Sequence, residues 1–352
     1  IPVTENLVLY AVWVPEEEAY TVSFDLQGGL NNGMPEKLSC LPGKSVLLPL
    51  LPNTYKEGFV RLGYSRDGTA DSGILEEETE YVPSSDTRIF VVWGDGFYPQ
   101  YAGTEKWVQG VSVLENDWKI YQSEYGNKVA FWNSDAGWYD VYQGDKFLCW
   151  AAVSTNMLLW WYDLNQEKID KYISSHPDFE FPDFVYDGKG GSGIFSYFEK
   201  FWPDNGNQPT FGLNWFLTGN SNIGGGALFK EVFEGKDVTY RSSIVNKATF
   251  NAVITEVLEN RKIISIDITS YGAHVVTIWG ASYGNDGFIQ GLYLPASAVS
   301  NEIYGVDAGG LQYSEIVYQN GKPFVYYNWG NNSAPVVTLY TFSSCQDIWR
   351  LY

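Results

Sequence analysis

The stretch Gln143-Gly144-Asp145-Lys146-Phe147-Leu148-Cys149-Trp150-Ala151-Ala152 decides how the chain is interpreted. It places a glutamine six residues before a cysteine, and the cysteine opens an apolar run that predicts a buried helix. A helix N-terminus presents free backbone N–H groups and the positive end of the helix dipole, which stabilise a thiolate. Cys149 is therefore a candidate nucleophile, and its own N–H and Gln143 are candidate oxyanion donors. Taken alone, Cys149 also suits a buried structural role.

The base is chosen from only two histidines. His274 precedes the apolar segment 275–279, which predicts a buried strand with an imidazole at its start. His176 stands before Pro177 at the end of a charged helical stretch, which indicates a solvated helix cap. A lone histidine at a strand start is often structural. Beside a cysteine at a helix start, however, His274 completes the parts of a cysteine hydrolase.

Composition predicts a folded, strand-rich chain of two or three domains. The 352 residues include 17% aromatics and 36 glycines, which is typical of a turn-rich globular protein. The formal net charge of −20 argues against nucleic acid or an anionic membrane as a partner, because both would repel the chain.

The three cysteines lack zinc-binding spacing, and we predict neither a metal nor a cofactor. This sparse cysteine usage suits a bacterial surface protein as well as a cytosolic one. No segment approaches the roughly 18 apolar residues of a membrane span, and no signal peptide is evident. Because the chain opens in a strand-like segment, residues 6–13, we expect it to be a piece of a longer precursor.

Two similar segments indicate where the chain divides into domains. Residues 7–13 resemble residues 87–93, and strand-like segments with glycine turns lie between them at 20–29, 43–49 and 58–65. This pattern resembles the Listeria–Bacteroides repeat of bacterial surface proteins, although a generic small β domain is the alternative. The resemblance implies a β-grasp-like module. The predicted divisions are the tail of a preceding repeat at 1–14, the repeat at 15–94, a linker at 95–106 and a second domain at 107–352.

The second domain has helical, loop and strand signals in a definite order. We predict helices from Cys149 to about 162, at about 166–175 and at 245–260, and an exposed glycine-rich loop at 188–193. Strands are predicted at 263–268, 274–281, 288–294, 326–328 and 336–342, with a hairpin turn at 283–287.

Four separated segments of this domain resemble a known family. They are Gly137-Trp138-Tyr139-Asp140, the Cys149 helix as far as Pro177, residues 274–281 from His274 onward, and Gln346-Asp347-Ile348-Trp349. Their order is similar to that in papain-like cysteine proteases, and more closely to that in the streptococcal immunoglobulin-degrading endopeptidases of the IdeS/Mac type.

The resemblance implies an α+β fold of the papain-like type, in which a helix bearing the cysteine packs on an antiparallel sheet bearing the histidine. It implies an extracellular or cell-surface bacterial endopeptidase that needs no cofactor and cleaves host immunoglobulin, with the region near the heavy-chain hinge as the expected target. Cys149 and His274 would be catalytic, and Gln143 would share the oxyanion with the Cys149 N–H.

The chain departs from this family at two places. Gln143 stands where the streptococcal enzymes use a lysine as oxyanion donor. Ala296 and Ala298 stand where the family has two aspartates, one of which orients the histidine. Ser297 is a weak candidate for that orienting role. Loss of an orienter lowers the rate without removing the nucleophile.

Two other functions remain open at this stage. A papain-like fold with a weakened or inactive site would serve as a surface-binding module, and a papain-fold acyltransferase or glutaminase would use the same three residues. The retention of Gln143, Cys149 and His274 favours an enzyme.

Overall fold

A computed structural model divides the chain into two compact units, Ile1–Asp95 and Gly96–Tyr352. The structure describes residues 19–31, 34–49, 56, 59–69, 75, 79–94, 98–120, 128–144, 146–219, 222–243, 246–268, 274–295, 310–327 and 332–346. The strand echo at 7–13, the predicted repeat tail at 1–14 and Ser297 with its flanking alanines lie outside these residues.

The N-terminal unit is built from short strands. Its main sheet has the order β2-β1-β6-β4, formed by β1 (Tyr20–Asp25), β2 (Lys37–Cys40), β4 (Val60–Ser65) and β6 (Thr87–Gly94), and β3 (Val46–Leu47) pairs with β5 (Glu80–Tyr81). The central pair β1 and β6 is parallel, and its neighbours are antiparallel. Strands thus occur in each predicted segment, while the assignment to a β-grasp-like surface repeat stays a prediction.

In its described residues, the second unit combines an antiparallel sheet with five α-helices, so it is α+β. The sheet has 11 strands: β7 (Glu105–Trp107), β8 (Trp118–Ile120), β9 (Lys128–Phe131), β10 (Thr239–Ser243), β11 (Lys262–Ile268), β12 (His274–Ile278), β13 (Gly280–Tyr283), β14 (Ile289–Pro295), β15 (Gly310–Gln319), β16 (Lys322–Tyr327) and β17 (Asn332–Ser343). The helices are α1 (Cys149–Ser175), α2 (Gly193–Phe201), α3 (Pro209–Thr218), α4 (Lys230–Phe233) and α5 (Lys247–Glu259).

Helix α1 forms the centre of this unit. Every residue from Trp150 to Trp161 is buried, so the first half of the helix is covered on all sides by strand β12 and by α2 and α3. The helix ends at His176, before Pro177, as predicted. Within the described residues, no helix is long and apolar enough to cross a bilayer.

The prediction of two helices between Cys149 and Ser175 is wrong, because α1 is continuous over 27 residues. The polar residues that suggested a break between two helices include Asn165. Its amide donates to the Trp161 carbonyl at 2.8 Å and to the Ser344 carbonyl at 2.7 Å. A buried asparagine with two such acceptors satisfies a tertiary contact and does not mark a helix end.

Three other predictions need correction. The strand predicted at 274–281 divides at Trp279, where the chain leaves the partner of β12 and pairs with β14 and β7 instead. The loop at 188–193 is not simply exposed, because Gly190 is buried and its carbonyl accepts the Tyr142 N–H at 3.0 Å. Part of the stretch predicted as a linker, 95–106, contributes to strand β7.

His176 is a helix cap, as predicted, but it is not solvated. Its side chain is only 19% exposed, stacks on Tyr172 and lies 3.5 Å from Glu231. Its Nδ1 lies 2.8 Å from the Tyr172 carbonyl. These contacts give the second histidine of the chain a structural role.

Asn156 ties the centre of α1 to two neighbouring segments. Its Oδ1 accepts the Val141 N–H at 3.0 Å, and its Nδ2 donates to the Thr277 hydroxyl on β12 at 3.2 Å. The side chain is fully buried. It therefore fixes both the segment that leads to the cysteine and the strand that begins with the histidine.

We expect Asn156→Ala to lower the free energy of unfolding of the second unit by about 2–4 kcal/mol. The substitution leaves the Val141 N–H and the Thr277 hydroxyl buried without their partner. Urea unfolding monitored by tryptophan fluorescence measures the change. Asn116→Ala, at an exposed position, is the matched control, and equal stability of the two variants would contradict this role.

Candidate active site

Cys149 is the first residue of α1, and the residue before it caps the helix without a side-chain hydrogen bond. The Leu148 carbonyl accepts the N–H groups of Ala151 and Ala152, at 2.9 and 3.0 Å. The N–H groups of Cys149 and Trp150 therefore belong to the open first turn, and both lie against the Cys149 sulfur. The start of the helix thus offers the donors that the sequence predicts.

The start of α1 is held by the connection between α2 and α3. Trp150 is fully buried, and its indole N–H donates to the Asn205 carbonyl at 3.0 Å. The Phe147 N–H donates to Asp204 Oδ1 at 2.7 Å, while the Phe147 ring is 72% exposed. Rigid support on one side and an exposed ring on the other leave the cysteine partly accessible.

Strand β12 brings a third donor to the sulfur. The N–H of Val275, the residue after His274, also faces the Cys149 sulfur and lowers the pKa of the thiol. Among the strands that the structure describes, β12 ends the main path of the sheet and pairs only with β11, so its other edge can meet the helix. The structure therefore brings the predicted nucleophile to the backbone beside the predicted base.

Burial acts on both reacting groups in the same direction, toward their neutral forms. It raises the pKa of the Cys149 thiol, an effect that the three N–H groups oppose and that the Asp267 carboxylate strengthens. Burial lowers the pKa of the His274 imidazole. Burial therefore favours the thiol and the neutral imidazole over the charged forms.

His274 Nε2 is buried and has no hydrogen-bond partner among the described residues. His274 pairs with Ile268 across the ladder of β11 and β12. A buried ring nitrogen without a partner is costly unless a reacting group or a ligand engages it. This atom is thus available to accept a proton.

Gln143 lies on the loop before α1. The loop is pinned upstream, because the Val141 N–H bonds Asn156 and the Tyr142 N–H bonds the Gly190 carbonyl. Gly144 has a φ of +65°, the left-handed conformation that favours glycine, and it turns the chain toward the helix. Gln143 is partly buried, and its Oε1 is buried without a partner among the described residues.

The segment Gly137–Asp140 anchors this loop to the sheet. Gly137 has a φ of +65°, and a Cβ there would lie 2.2 Å from the Gly110 carbonyl oxygen, so only glycine fits. The Tyr139 carbonyl accepts the Trp279 indole N–H at 3.0 Å, and Asp140 Oδ2 accepts the Gly310 N–H at 3.0 Å. The motif is therefore structural, and it positions the loop that carries Gln143.

Sequence reasoning missed Asp267, whose charge acts on the thiol. A signal was present, because polar Ser265 and Asp267 alternate with isoleucines along β11. Alternation of this kind indicates a strand with one polar face. No group of three or more potential metal ligands occurs in the part of the chain that the structure describes.

Comparison with known proteins defines the class. The chain matches the family described as Mac 1 over residues 73–184 and 218–349, which together make up more than half of its length. The chain therefore belongs to the Mac 1 family. The match spans α1 with Cys149 and the strand that begins with His274.

One curated relative is the IgM protease of Streptococcus suis (strain P1/7). It is 24% identical over 348 residues, an alignment that covers 84% of this chain and 30% of the relative. The chain thus spans less than a third of the length of that protein.

We expect iodoacetamide to modify Cys149 at least about tenfold faster than Cys40 or Cys345 in the native protein. Both other cysteines are buried, and burial raises the pKa of Cys345 to about 12. Because the Cys149 pKa is also raised, its rate should climb steadily from about pH 7 to about pH 9.

Peptide mass spectrometry at timed intervals gives the three rates, and modification in denaturant is the control for intrinsic reactivity. Slow and equal modification of all three thiols would contradict the site. A rate that stays flat from about pH 5 to about pH 8 would indicate a preformed thiolate–imidazolium pair instead.

Proposed function

We propose that this chain is the catalytic segment of a cysteine endopeptidase with a papain-like arrangement, in which Cys149 is the nucleophile and His274 the base. The observation that carries the proposal is the meeting of the α1 N-terminus with the start of β12 at the Cys149 sulfur. Membership of the Mac 1 family and the similarity to an IgM protease support this activity.

The geometry supports a two-step reaction. The Cys149 proton passes to His274 Nε2 as the sulfur attacks the substrate carbonyl carbon, so charge separation begins only when substrate has displaced water. The carbonyl oxygen becomes an oxyanion beside the Cys149 N–H, and the Gln143 amide is the proposed second donor. His274 then gives the proton to the leaving amine. Water hydrolyses the thioester and returns the proton to the sulfur.

The residue that orients His274 stays a prediction. Ser297 is the sequence candidate for orienting His274, and it lies outside the described residues. Because the attacking species is the thiolate with its imidazolium, an uncharged orienter or none lowers the rate without abolishing the chemistry. The proposed site therefore consists of Cys149, His274 and Gln143.

The proposed substrate is host immunoglobulin, cleaved in the heavy chain near the hinge or its equivalent, by a protein that acts outside the bacterial cell. The named activity of the Streptococcus suis relative places IgM first among the isotypes to test. An extended segment between folded domains suits a cysteine nucleophile that lies beside a strand edge, because such a segment presents its carbonyl without unfolding.

Incubation of the full chain with purified human and porcine IgM, IgG and IgA tests this proposal. We expect a discrete heavy-chain fragment with at least one isotype, detected by reducing gel electrophoresis and intact mass. Cys149→Ala should lower the cleavage rate by more than about 10³-fold. Cys40→Ala, which removes a cysteine in the other unit, should leave the cleavage rate unchanged.

Two other outcomes assign other functions. Retained binding with every heavy chain intact, in both the parent and Cys149→Ala, would indicate a binding module. A product that forms only when hydroxylamine is added, and that carries it as a hydroxamate, would indicate an acyltransferase. Either result would overturn the protease proposal.

A further inference from the structure

The sheet face beneath α1 carries a polar row that the proposed reaction does not use. The Thr277 hydroxyl accepts the side-chain N–H of Asn156 on α1, so this face of β12 points toward the helix. Side chains that oppose each other across an antiparallel ladder share a face. Val275 and Thr277 pair with Asp267 and Ser265, and these two polar residues therefore also face α1.

Asp267 lies directly across the ladder from Val275, whose N–H contacts the Cys149 sulfur. Its Oδ1 is buried and has no hydrogen-bond partner among the described residues. A buried carboxylate oxygen without a donor costs free energy that a packed isoleucine at this position would not. At this position the carboxylate acts on the Cys149 thiol, which an isoleucine could not do.

Arg241 extends this polar row from β17 onto β10, on the same face of the sheet. Arg241 on β10 pairs with Tyr340 on β17, and Tyr340 pairs with Ser265, so all three share the helix-facing side. The guanidinium lies near the Tyr340 side chain and lowers the pKa of its phenol, and its charge also lowers the pKa of Asp267. The Arg241 side chain is exposed, so solvent screens part of its effect.

These groups form one electrostatic cluster with the thiol. The Asp267 carboxylate acts on Cys149 from α1 and Tyr340 from β17, and Arg241 from β10 acts on it in turn. His274 lies next to Val275 on β12, where it pairs with Ile268 and not with Asp267. Burial raises the Asp267 pKa, and Arg241 lowers it. Burial, followed by the charge of Asp267, raises the pKa of Tyr340, which favours the neutral phenol. The charged members of the cluster are therefore Asp267 and Arg241.

We propose that Asp267 and Arg241 are positioning residues that control the ionisation of Cys149: the carboxylate holds the free thiol protonated, and the guanidinium limits that effect. This inference rests on the proposed role of Cys149 as nucleophile. A carboxylate beside the sulfur disfavours an isolated thiolate, so ionisation of the thiol is tied to attack on substrate. The cluster thus places an acid near the sulfur.

Charge substitution in the full chain tests the cluster. We expect Asp267→Asn to speed iodoacetamide modification of Cys149 by about 3- to 10-fold at about pH 7.5, and to move its rate profile to lower pH. Arg241→Gln should slow it by about twofold, and the double variant should match Asp267→Asn, because Arg241 acts through the carboxylate. Asp135→Asn, at an exposed position, is the control and should change nothing.

The absorbance of the thiolate near 240 nm, taken as the difference from Cys149→Ala, follows the same ionisation without an alkylating agent. An Asp267→Asn rate equal to or below that of the parent would overturn the inference, as would a faster Arg241→Gln. If Asp267→Asn does not fold, judged by circular dichroism and the melting temperature, the direction of the Arg241→Gln effect decides. Failure of the parent to modify Cys149 selectively would instead overturn the proposed function.

Discussion

The approach of the Val275 N–H to the Cys149 sulfur joins the two halves of the site. It requires that a helix begin at an edge of β12 where no described strand pairs. The remaining architecture maintains this contact. The Trp150 indole fixes the first turn of α1 from the side of α2 and α3, and Asn156 fixes the second turn to β12. A shift of the helix along the strand would break all three contacts together.

This arrangement sets the chemistry through burial. The open first turn of α1 favours a thiolate, but the low polarity around the sulfur and the charge of Asp267 oppose it. The same burial keeps His274 neutral. The balance is a resting thiol whose ionisation depends on the arrival of a substrate, because an oxyanion forming next to the Cys149 N–H replaces the missing stabilisation. A buried neutral pair is also less open to oxidation than an exposed thiolate.

The sequence predicted those elements in which a regular pattern and a clear boundary coincide. Helix α1 begins at Cys149 and ends before Pro177, α5 agrees with the predicted segment, and the hairpin of β13 and β14 lies at its glycine turn. Helices α2, α3 and α4 were not predicted. They are short, with aromatic residues on several faces, and tertiary burial against α1 decides their conformation where propensity does not.

The residues of the site also differ in how far the sequence predicts them. Cys149, Gln143 and His274 were predicted because each stands at the start or approach of an element, where backbone groups are exposed. Asp267 could not be assigned from sequence, since its importance comes from pairing with Val275 across a ladder whose register the sequence does not reveal.

A crystal structure of the chain with a peptide aldehyde bound to Cys149 tests the central claim most directly. The aldehyde forms a hemithioacetal, and its oxygen occupies the place of the oxyanion. The account predicts that this oxygen lies within about 3 Å of both the Cys149 N–H nitrogen and the Gln143 side-chain nitrogen, with the His274 ring against the sulfur. An oxygen directed into solvent, or a histidine ring turned away from the sulfur, would contradict it.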